Sequence, residues 1–229
     1  MTPTGRRPDE GERYRTILET AARLICERGY EGTSMQEIAA ACRMTKAGLY
    51  HHIQNKEQLL FAIMNYGMDV FEEQVLAPVQ DVADPVERLR QCMRQNIHLV
   101  TSGRSKEVII ILHEHATLTG EAREYIDRRK KRYVRFLEDS FAEAHRQGRL
   151  RGAVDPTVAA FSFLGMILWV YKWFKPDGRL SEEQIADGMV ELLFPSGAAA
   201  VSAPPPSGDD ANAPALRMVP RAASGGEPQ

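Results

Sequence analysis

The segment Thr45–His52 carries side chains whose chemistry suits contact with a polyanion. A cation (Lys46), a phenol (Tyr50) and two imidazoles surround the small pair Ala47-Gly48. Small residues let a helix approach a DNA groove closely, and the polar side chains can reach phosphates and base edges. The residues predicted to contact DNA are Thr33, Ser34, Thr45, Lys46, Ala47, Gly48, Tyr50, His51, His52 and Lys56.

Two short helices with a tight break between them would present this segment. Ser34 followed by Glu37 three residues later predicts a capping box at the start of the first helix. Arg43–Thr45 forms the break, and Thr45 can cap the second helix. Asn55 can cap a third, longer helix. The pattern predicts a helix-turn-helix unit that inserts its second helix into the major groove.

The tripeptide His113-Glu114-His115 is the strongest candidate for a metal site. Adjacent residues on a helix point about 100° apart, so the three side chains cannot easily converge on one ion. Helical zinc pairs prefer a spacing of four residues. We therefore expect no metal here, and interpret His113 as lining a pocket or capping a buried polar group.

The bulk composition is that of a globular protein. The chain has 229 residues, of which 43% are hydrophobic, enough for one or two domains. It has no long apolar run, and its polar N-terminus is not a signal peptide, so we expect a cytoplasmic location. Three cysteines far apart in sequence favour reduced, packed thiols over a disulfide framework or a zinc site.

Charge is distributed unevenly along the chain. Residues 1–56 contain nine basic and seven acidic residues, whereas residues 57–194 contain 18 and 21. The helix-turn-helix therefore lies in the basic part, but the bias is mild. DNA affinity should depend on geometry and on two copies more than on a strong electric field.

The periodicity of the whole chain predicts an all-α fold of about nine helices, without a sheet. We expect a disordered arm (1–11), a helix-turn-helix domain (12–56), an effector-binding and dimerisation domain (57–194) and a disordered tail (195–229). The helix at about 156–174 is apolar on nearly all sides, so a second subunit should cover part of it. No catalytic set, phosphate-binding glycine loop or metal spacing is present, so we expect no enzyme activity.

The stretch from Ile17 to Leu60 resembles the helix-turn-helix of TetR-type transcriptional regulators. The motifs that carry the resemblance are Glu27-Arg28-Gly29-Tyr30, Gly32-Thr33-Ser34-Met35-Gln36-Glu37-Ile38-Ala39, Thr45 to Ile53 and Asn55 to Leu60. Ile53 replaces a phenylalanine usual in the family, and Gln54 replaces a frequent cation. The resemblance implies a homodimer that pairs through helices at about 156–174 and 182–194 and binds a palindromic double-stranded operator. An effector would shift the helix that runs from Asn55 to about Val75.

The segment from Gly165 to Ser181 resembles a TetR subgroup that regulates fatty-acid and steroid-ring degradation in response to acyl-CoA thioesters. His113-Glu114 and the segment from Tyr125 to Tyr133 are similar to that subgroup too. The resemblance implies a repressor released by a fatty acyl-CoA or related CoA thioester, and no cofactor. The predicted ligand-binding residues are His113, Arg129, Arg132, Tyr133, Phe136, Trp169, Lys172 and Trp173. The predicted dimer residues are Phe161, Leu164, Leu168, Ile185, Met189 and Leu192.

Two other interpretations remain open at this point. A TetR-type regulator could sense a non-CoA hydrophobic or drug-like molecule, which would require buried carboxylates, and Glu114 favours that reading. A helical enzyme acting on acyl-CoA is the alternative of a different class, and the absence of a catalytic set argues against it.

Overall fold

The computed structural model describes residues 8–102, 106–150 and 154–194, with the side chains of Pro8, Asp9, His113 and His115 excepted. These ranges contain no β-strand. They form nine α-helices: α1 (Pro8–Arg28), α2 (Met35–Ala41), α3 (Lys46–His52), α4 (Lys56–Phe71), α5 (Pro85–Thr101), α6 (Lys106–His113), α7 (Gly120–Arg146), α8 (Pro156–Trp173) and α9 (Glu182–Leu193). A π-helical turn (Glu72–Leu76) follows α4, and a 3₁₀ turn (His115–Thr117) follows α6. The predicted all-α fold is confirmed.

The first helix begins earlier than the sequence predicted. α1 starts at Pro8 rather than at residue 12, so the predicted disordered arm is partly helical. Proline is well tolerated in the first turn, because its missing N–H has no helical partner there. Residues 1–7 and the predicted tail, 195–229, lie outside the described residues.

Side chains cap six helix starts, including the three caps predicted at Ser34, Thr45 and Asn55. Each cap needs only one side chain and a backbone N–H two or three residues later, so local sequence determines it. The capping residues are Ser34, Thr45, Asn55, Asp84, Asp155 and Ser181.

Helix α4, which follows the N-terminal head (α1–α3), changes geometry near its end. The sequence predicted one α-helix to about Val75, but α4 ends at Phe71 and continues as the π-helical turn. There Ala77 N–H donates to the Glu72 carbonyl at 2.8 Å. Pro78 has no N–H to continue the α-helical ladder, which accounts for the end of the helix.

The C-terminal body (α5–α9) packs around α5, which contacts α7, α8 and α9. α6 packs against both α1 and α4, so it joins the head to the body. At the centre, the rings of Phe141 and Phe163 are fully buried, with centroids 5.9 Å apart. No helix of the described ranges is long and apolar enough to cross a membrane.

The apolar helix α8 is buried on one face only in the single chain. Its inward side chains include Phe163, Ile167 and Val170. The opposite face leaves large apolar side chains exposed, as expected if a second copy covers it. The exposed large apolar residues of α8 are Val158, Phe161, Leu168, Trp169 and Trp173, and Leu192 of α9 is 77% exposed.

Candidate functional site

Helices α2 and α3 form the predicted helix-turn-helix. The Ser34 N–H donates to Glu37 Oε2 at 2.8 Å, and the Glu37 N–H donates to Ser34 Oγ at 3.2 Å. The Ser34 hydroxyl, which donates to Glu37 Oε2 at 2.7 Å, and the Ser34 N–H hold the pKa of the Glu37 carboxyl below its usual value. Arg43 makes the turn in the left-handed region, with φ at 54°. Leu49 is fully buried and anchors α3 to the core of the head.

The outer face of α3 carries most of the residues predicted to contact DNA. Thr45, Lys46, Ala47, Tyr50 and His51 are exposed, while Gly48 and His52 are half-buried. The Thr45 hydroxyl accepts the Gly48 N–H at 3.0 Å, so its role in this structure is to cap the helix. The Lys46 ammonium lies 5.8 Å from the Tyr50 ring centroid. This face therefore presents a cation, a phenol and an imidazole together to solvent.

Three of the residues predicted to contact DNA interact with other residues of the same chain. Thr33 is 1% exposed, and its hydroxyl donates to the Gly29 carbonyl at 2.9 Å, so it closes the end of α1 rather than facing outward. Its role as a DNA contact stays a prediction. The Lys56 ammonium lies 4.2 Å from the Tyr30 ring centroid and 3.9 Å from the Glu31 carboxylate. Its positive charge therefore interacts with these two neighbours in the same chain. Ser34 is exposed, but its hydroxyl serves the capping box.

The body contains an apolar cavity of about 130 Å³ between α4, α5, α6, α7 and α8. Its described polar lining consists of Asn96, Lys130 and Tyr133, and includes no carboxylate. The apolar residues that line it are Met68, Phe71, Leu99, Val100, Val108, Ile111, Leu112, Val134, Leu164, Ile167 and Leu168. Such a wall suits a small hydrocarbon group that carries a hydrogen-bond acceptor.

The polar part of the cavity wall is a connected cluster. The Asn96 side-chain amide donates to the Tyr133 hydroxyl at 2.8 Å and to the Cys92 carbonyl at 2.7 Å. The Cys92 sulfur lies 3.3 Å from the same hydroxyl. Burial raises the pKa of Cys92 to about 12 and that of Tyr133 well above its usual value, so both stay protonated.

Some of the predicted ligand residues do not line this cavity. Tyr133 does, whereas Phe136 only stacks on Tyr133, with ring centroids 6.5 Å apart. Trp169 and Trp173 are 64% and 44% exposed on the outer face of α8. Both lie outside this cavity because α8 turns its opposite face inward, and their role in ligand binding stays a prediction. The side chain of His113 lies outside the described residues.

The three cationic residues predicted to bind ligand differ in their burial and in their contacts. Arg129 is 5% exposed and lies between Asp69 and Glu72, at 2.8 and 2.9 Å, so it clamps α7 to the end of α4 and cannot serve as a free anion receptor. This corrects its assignment. Arg132 is exposed and bonds Glu72 at 3.0 Å. Lys172 is exposed and lies against the Tyr171 ring, 5.0 Å from its centroid.

Sequence reasoning missed two of the three polar residues that line the cavity, Asn96 and Lys130. Asn96 interrupts the apolar stripe of α5, and a polar residue in a buried stripe was the available signal. Lys130 lies within the basic run Arg128–Arg132, and nothing in the sequence distinguishes it from its basic neighbours.

The predicted dimer residues also separate into groups. Phe161, Leu168 and Leu192 are exposed, and Met189 is half-buried. Ile185 is 5% exposed and packs into its own chain's core, and its role in the dimer stays a prediction. Leu164 is half-buried and lines the cavity.

A larger cleft of about 630 Å³ lies near α1, α4 and α5, but it does not suit an anionic or apolar ligand. Its lining includes Glu19, Glu107 and Glu182. No group of three or more His, Cys, Asp or Glu side chains in the described part of the chain could hold a metal ion.

The head and body are joined by polar contacts as well as by packing. Glu114 Oε1 accepts the Tyr30 N–H at 3.3 Å, between the end of α6 and the turn after α1. The Thr119 hydroxyl donates to Glu57 at 2.9 Å, between the start of α7 and the start of α4. Glu114 therefore supports the head and is not part of the cavity wall.

Comparison with known proteins agrees with this architecture. The family model described as "Bacterial regulatory proteins, tetR family" matches residues 17–63. The model described as "Tetracyclin repressor-like, C-terminal domain" matches residues 82–196. The two matches correspond to the head and to the cavity-bearing body.

Three relatives are similar over most of the chain. The crystal structure of AibR in complex with isovaleryl coenzyme A and operator DNA is 81% identical in sequence, covers 80% of this chain and 98% of that chain, and has a TM-score of 0.77. The HTH-type transcriptional repressor KstR2 of Mycobacterium tuberculosis is 26% identical over 78% of this chain and 89% of its own length. The fatty acid metabolism regulator protein of Bacillus subtilis is 22% identical over 79% of this chain and 93% of its own.

Proposed function

This chain belongs to the TetR family of bacterial transcriptional regulators, and from that premise we propose that it is a dimeric repressor released from operator DNA by a short, branched acyl-CoA. The outer face of α3 is the surface that reads DNA. The cavity of the body holds the acyl group. The observation that carries the effector proposal is this small apolar cavity without a carboxylate, in a chain 81% identical to a protein crystallised with isovaleryl coenzyme A and operator DNA.

The volume of the cavity limits the acyl group. A dry cavity of about 150 Å³ accommodates benzene, which has six carbon atoms. The cavity here, about 130 Å³, is therefore suited to about five carbon atoms. A long fatty acyl chain would require the helices to separate, so the effector is a short acyl thioester rather than the fatty acyl-CoA of the broader expectation.

The drug-sensor alternative loses its supporting residue. A cationic drug needs a buried carboxylate, and Glu114 was the candidate. Its carboxylate instead accepts hydrogen bonds from Tyr30 N–H and, at 3.5 Å, from the Thr117 hydroxyl. The charged residue that does line the cavity is Lys130, which repels cations and attracts anions or carbonyl oxygens.

The arrangement of α7 supports coupling between the cavity and the head. Tyr133 and Lys130 line the cavity, while Arg129, next to Lys130, holds the end of α4. Phe71 of α4 lines the same cavity, with its ring centroid 4.6 Å from that of Tyr133. A ligand that binds better to one position of α4 would shift the population of head positions and thereby the affinity for DNA.

The exposed face of α8 and α9 supports the dimer. Phe161, Trp169 and Leu192 are each more than half exposed in the single chain. A second copy related by a two-fold axis would bury these side chains and place two α3 helices on successive half-sites. Because it acts on DNA, the protein would work in the cytoplasm.

The effector proposal is tested with an operator selected from a random DNA library, labelled and followed by fluorescence anisotropy. Acyl-CoAs of two to sixteen carbons, straight and branched, are added to the complex. We expect release by isovaleryl-CoA at the lowest concentration and weak release by chains of twelve or more carbons. Release by free drugs or acids and by no thioester would overturn the effector assignment.

The DNA surface is tested separately. Lys46→Ala and Tyr50→Ala should each weaken operator binding about tenfold or more, because one removes a phosphate contact and the other a contact to the groove. Lys131→Ala, an exposed cation on α7, is the matched control and should leave operator binding unchanged. Unchanged affinity in both α3 variants would refute the assignment of this face.

A further inference from the structure

Two residues of α7 that carry hydrogen-bond donors contribute to the wall of the otherwise apolar cavity. Lys130 and Tyr133 are three residues apart on α7, a spacing that places them on one face of the helix. Both line the cavity. The remaining lining, apart from Asn96, consists of aliphatic and aromatic side chains and one methionine.

The hydrogen bonds around Tyr133 leave its proton available. Its oxygen accepts a hydrogen bond from the Asn96 amide at 2.8 Å. Its own proton therefore points away from that amide, and its described neighbour is the Cys92 sulfur at 3.3 Å, a weak acceptor. A carbonyl oxygen in the cavity would be a stronger acceptor for this proton.

Lys130 is the more exposed of these two lining residues of α7. Its side chain is half-buried, whereas Tyr133 is 7% exposed. Burial lowers the pKa of the Lys130 ammonium, and the nearby charge of Asp127 opposes that shift. An ammonium has three donors and no acceptor, so a partner in the cavity must supply an oxygen lone pair.

We infer that Lys130 and Tyr133 bind the thioester carbonyl oxygen of the effector. The hydrocarbon end then lies against the apolar wall, and the sulfur and the rest of CoA leave past Lys130. This inference rests on the proposed function, since it names the group that the cavity recognises in an acyl-CoA. It also predicts a preference for acyl groups with no donor of their own, because both side chains can donate hydrogen bonds.

The test compares isovaleryl-CoA with S-(3-methylbutyl)-CoA, a thioether that has the same carbon skeleton and lacks the carbonyl oxygen. Dissociation constants are measured by calorimetry for the full-length dimer. Lys130→Met keeps the length of the side chain and removes the charge, and Tyr133→Phe removes only the hydroxyl. Lys131→Met, an exposed neighbour, is the control.

We expect Lys130→Met to weaken isovaleryl-CoA binding about 10- to 100-fold, the range for a hydrogen bond to a charged group. Binding of the thioether should be nearly unchanged by the same substitution. Tyr133→Phe should weaken the thioester about three- to tenfold, again without affecting the thioether. Lys131→Met should behave as the unmodified chain with both ligands.

An equal loss for thioester and thioether would overturn the inference, because Lys130 would then act on another part of CoA. Unchanged thioester binding in Lys130→Met would overturn it too. Circular dichroism verifies that each variant is folded, and if Tyr133→Phe unfolds, the Lys130 comparison alone decides. The proposed function fails separately, if the unmodified chain binds neither CoA compound.

Discussion

The clamp around Arg129 should contribute substantially to the stability of the body. Its guanidinium contacts Asp69 Oδ1 at 2.8 Å and Glu72 Oε2 at 2.9 Å, and it donates to Asn65 Oδ1 at 2.8 Å. Arg129→Met keeps an apolar stem of similar length and removes all of these contacts. The variant should therefore be less stable, because three acceptors on α4 and the π-helical turn lose their cation.

The size of the loss follows from burial. Removing one partner of a fully buried ion pair costs about 3–5 kcal/mol, and an exposed pair contributes about 0–1 kcal/mol. The Arg129 side chain is 6% exposed, but those of Asp69 and Glu72 are 58% and 35% exposed and can be solvated again. We therefore expect about 2–3 kcal/mol. At roughly 2–4 °C per kcal/mol for a chain of this size, Tm should fall by about 4–12 °C.

Arg132→Met is the matched control. Arg132 is on the same helix and bonds the same Glu72 at 3.0 Å, but its side chain is 65% exposed. Its loss should cost less than about 1 kcal/mol. Thermal and urea unfolding are followed by circular dichroism at one dimer concentration, because dimer stability depends on concentration. Equal losses in the two variants would refute the argument that burial gives the Arg129 contacts their strength.

Three further predictions follow from close packing, exposure and burial. Gly67→Ala should lower stability by about 1–3 kcal/mol in urea unfolding, because its Cβ would lie 2.9 Å from the backbone of α6, whereas Gly11→Ala, which has open space, should not; equal results would contradict this packing constraint. Leu192→Glu should convert the dimer to a monomer in size-exclusion chromatography with light scattering, while Tyr125→Glu, an exposed aromatic on α7, should remain dimeric; a dimeric Leu192 variant would exclude that face. The pKa of Cys92 is raised to about 12, so between about pH 9 and 12 the folded thiol keeps a proton that the unfolded one loses, and stability should fall by up to about 1.4 kcal/mol per pH unit. Cys92→Ala should show a shallower decline with rising pH, and an identical slope would refute the assignment.

The local sequence was sufficient to predict where the helices of the head begin and which face of α3 is buried. The caps at Ser34, Thr45 and Asn55 form between residues three apart, so their formation does not depend on the rest of the fold. The buried position of Leu49 and the exposed position of Tyr50 follow from helical periodicity. Thr33 was also predicted to contact DNA, and in the single chain its hydroxyl donates to the Gly29 carbonyl at the end of α1.

The effector cavity was accessible to sequence only in outline. Tyr133 was predicted, and Asn96 could have been recognised as a polar interruption in the stripe of α5. Trp169 and Trp173 were predicted to bind ligand and lie on the face of α8 that points away from the cavity. The sequence of α8 is apolar on nearly all sides. Periodicity then carries no information about which face turns inward, and packing against α5 and α7 decides it.

The sequence by itself determined that α7 carries a dense run of cations and that some of them would meet the core. It could not determine how α7 is rotated. Tertiary packing turns Arg129 to the acidic end of α4, Lys130 to the cavity and Arg132 to solvent. Residues that follow one another on a helix point about 100° apart, so a small rotation exchanges their roles. That rotation is set by the apolar contacts of Ile126, Leu137 and Phe141 with the core, which only the folded chain specifies.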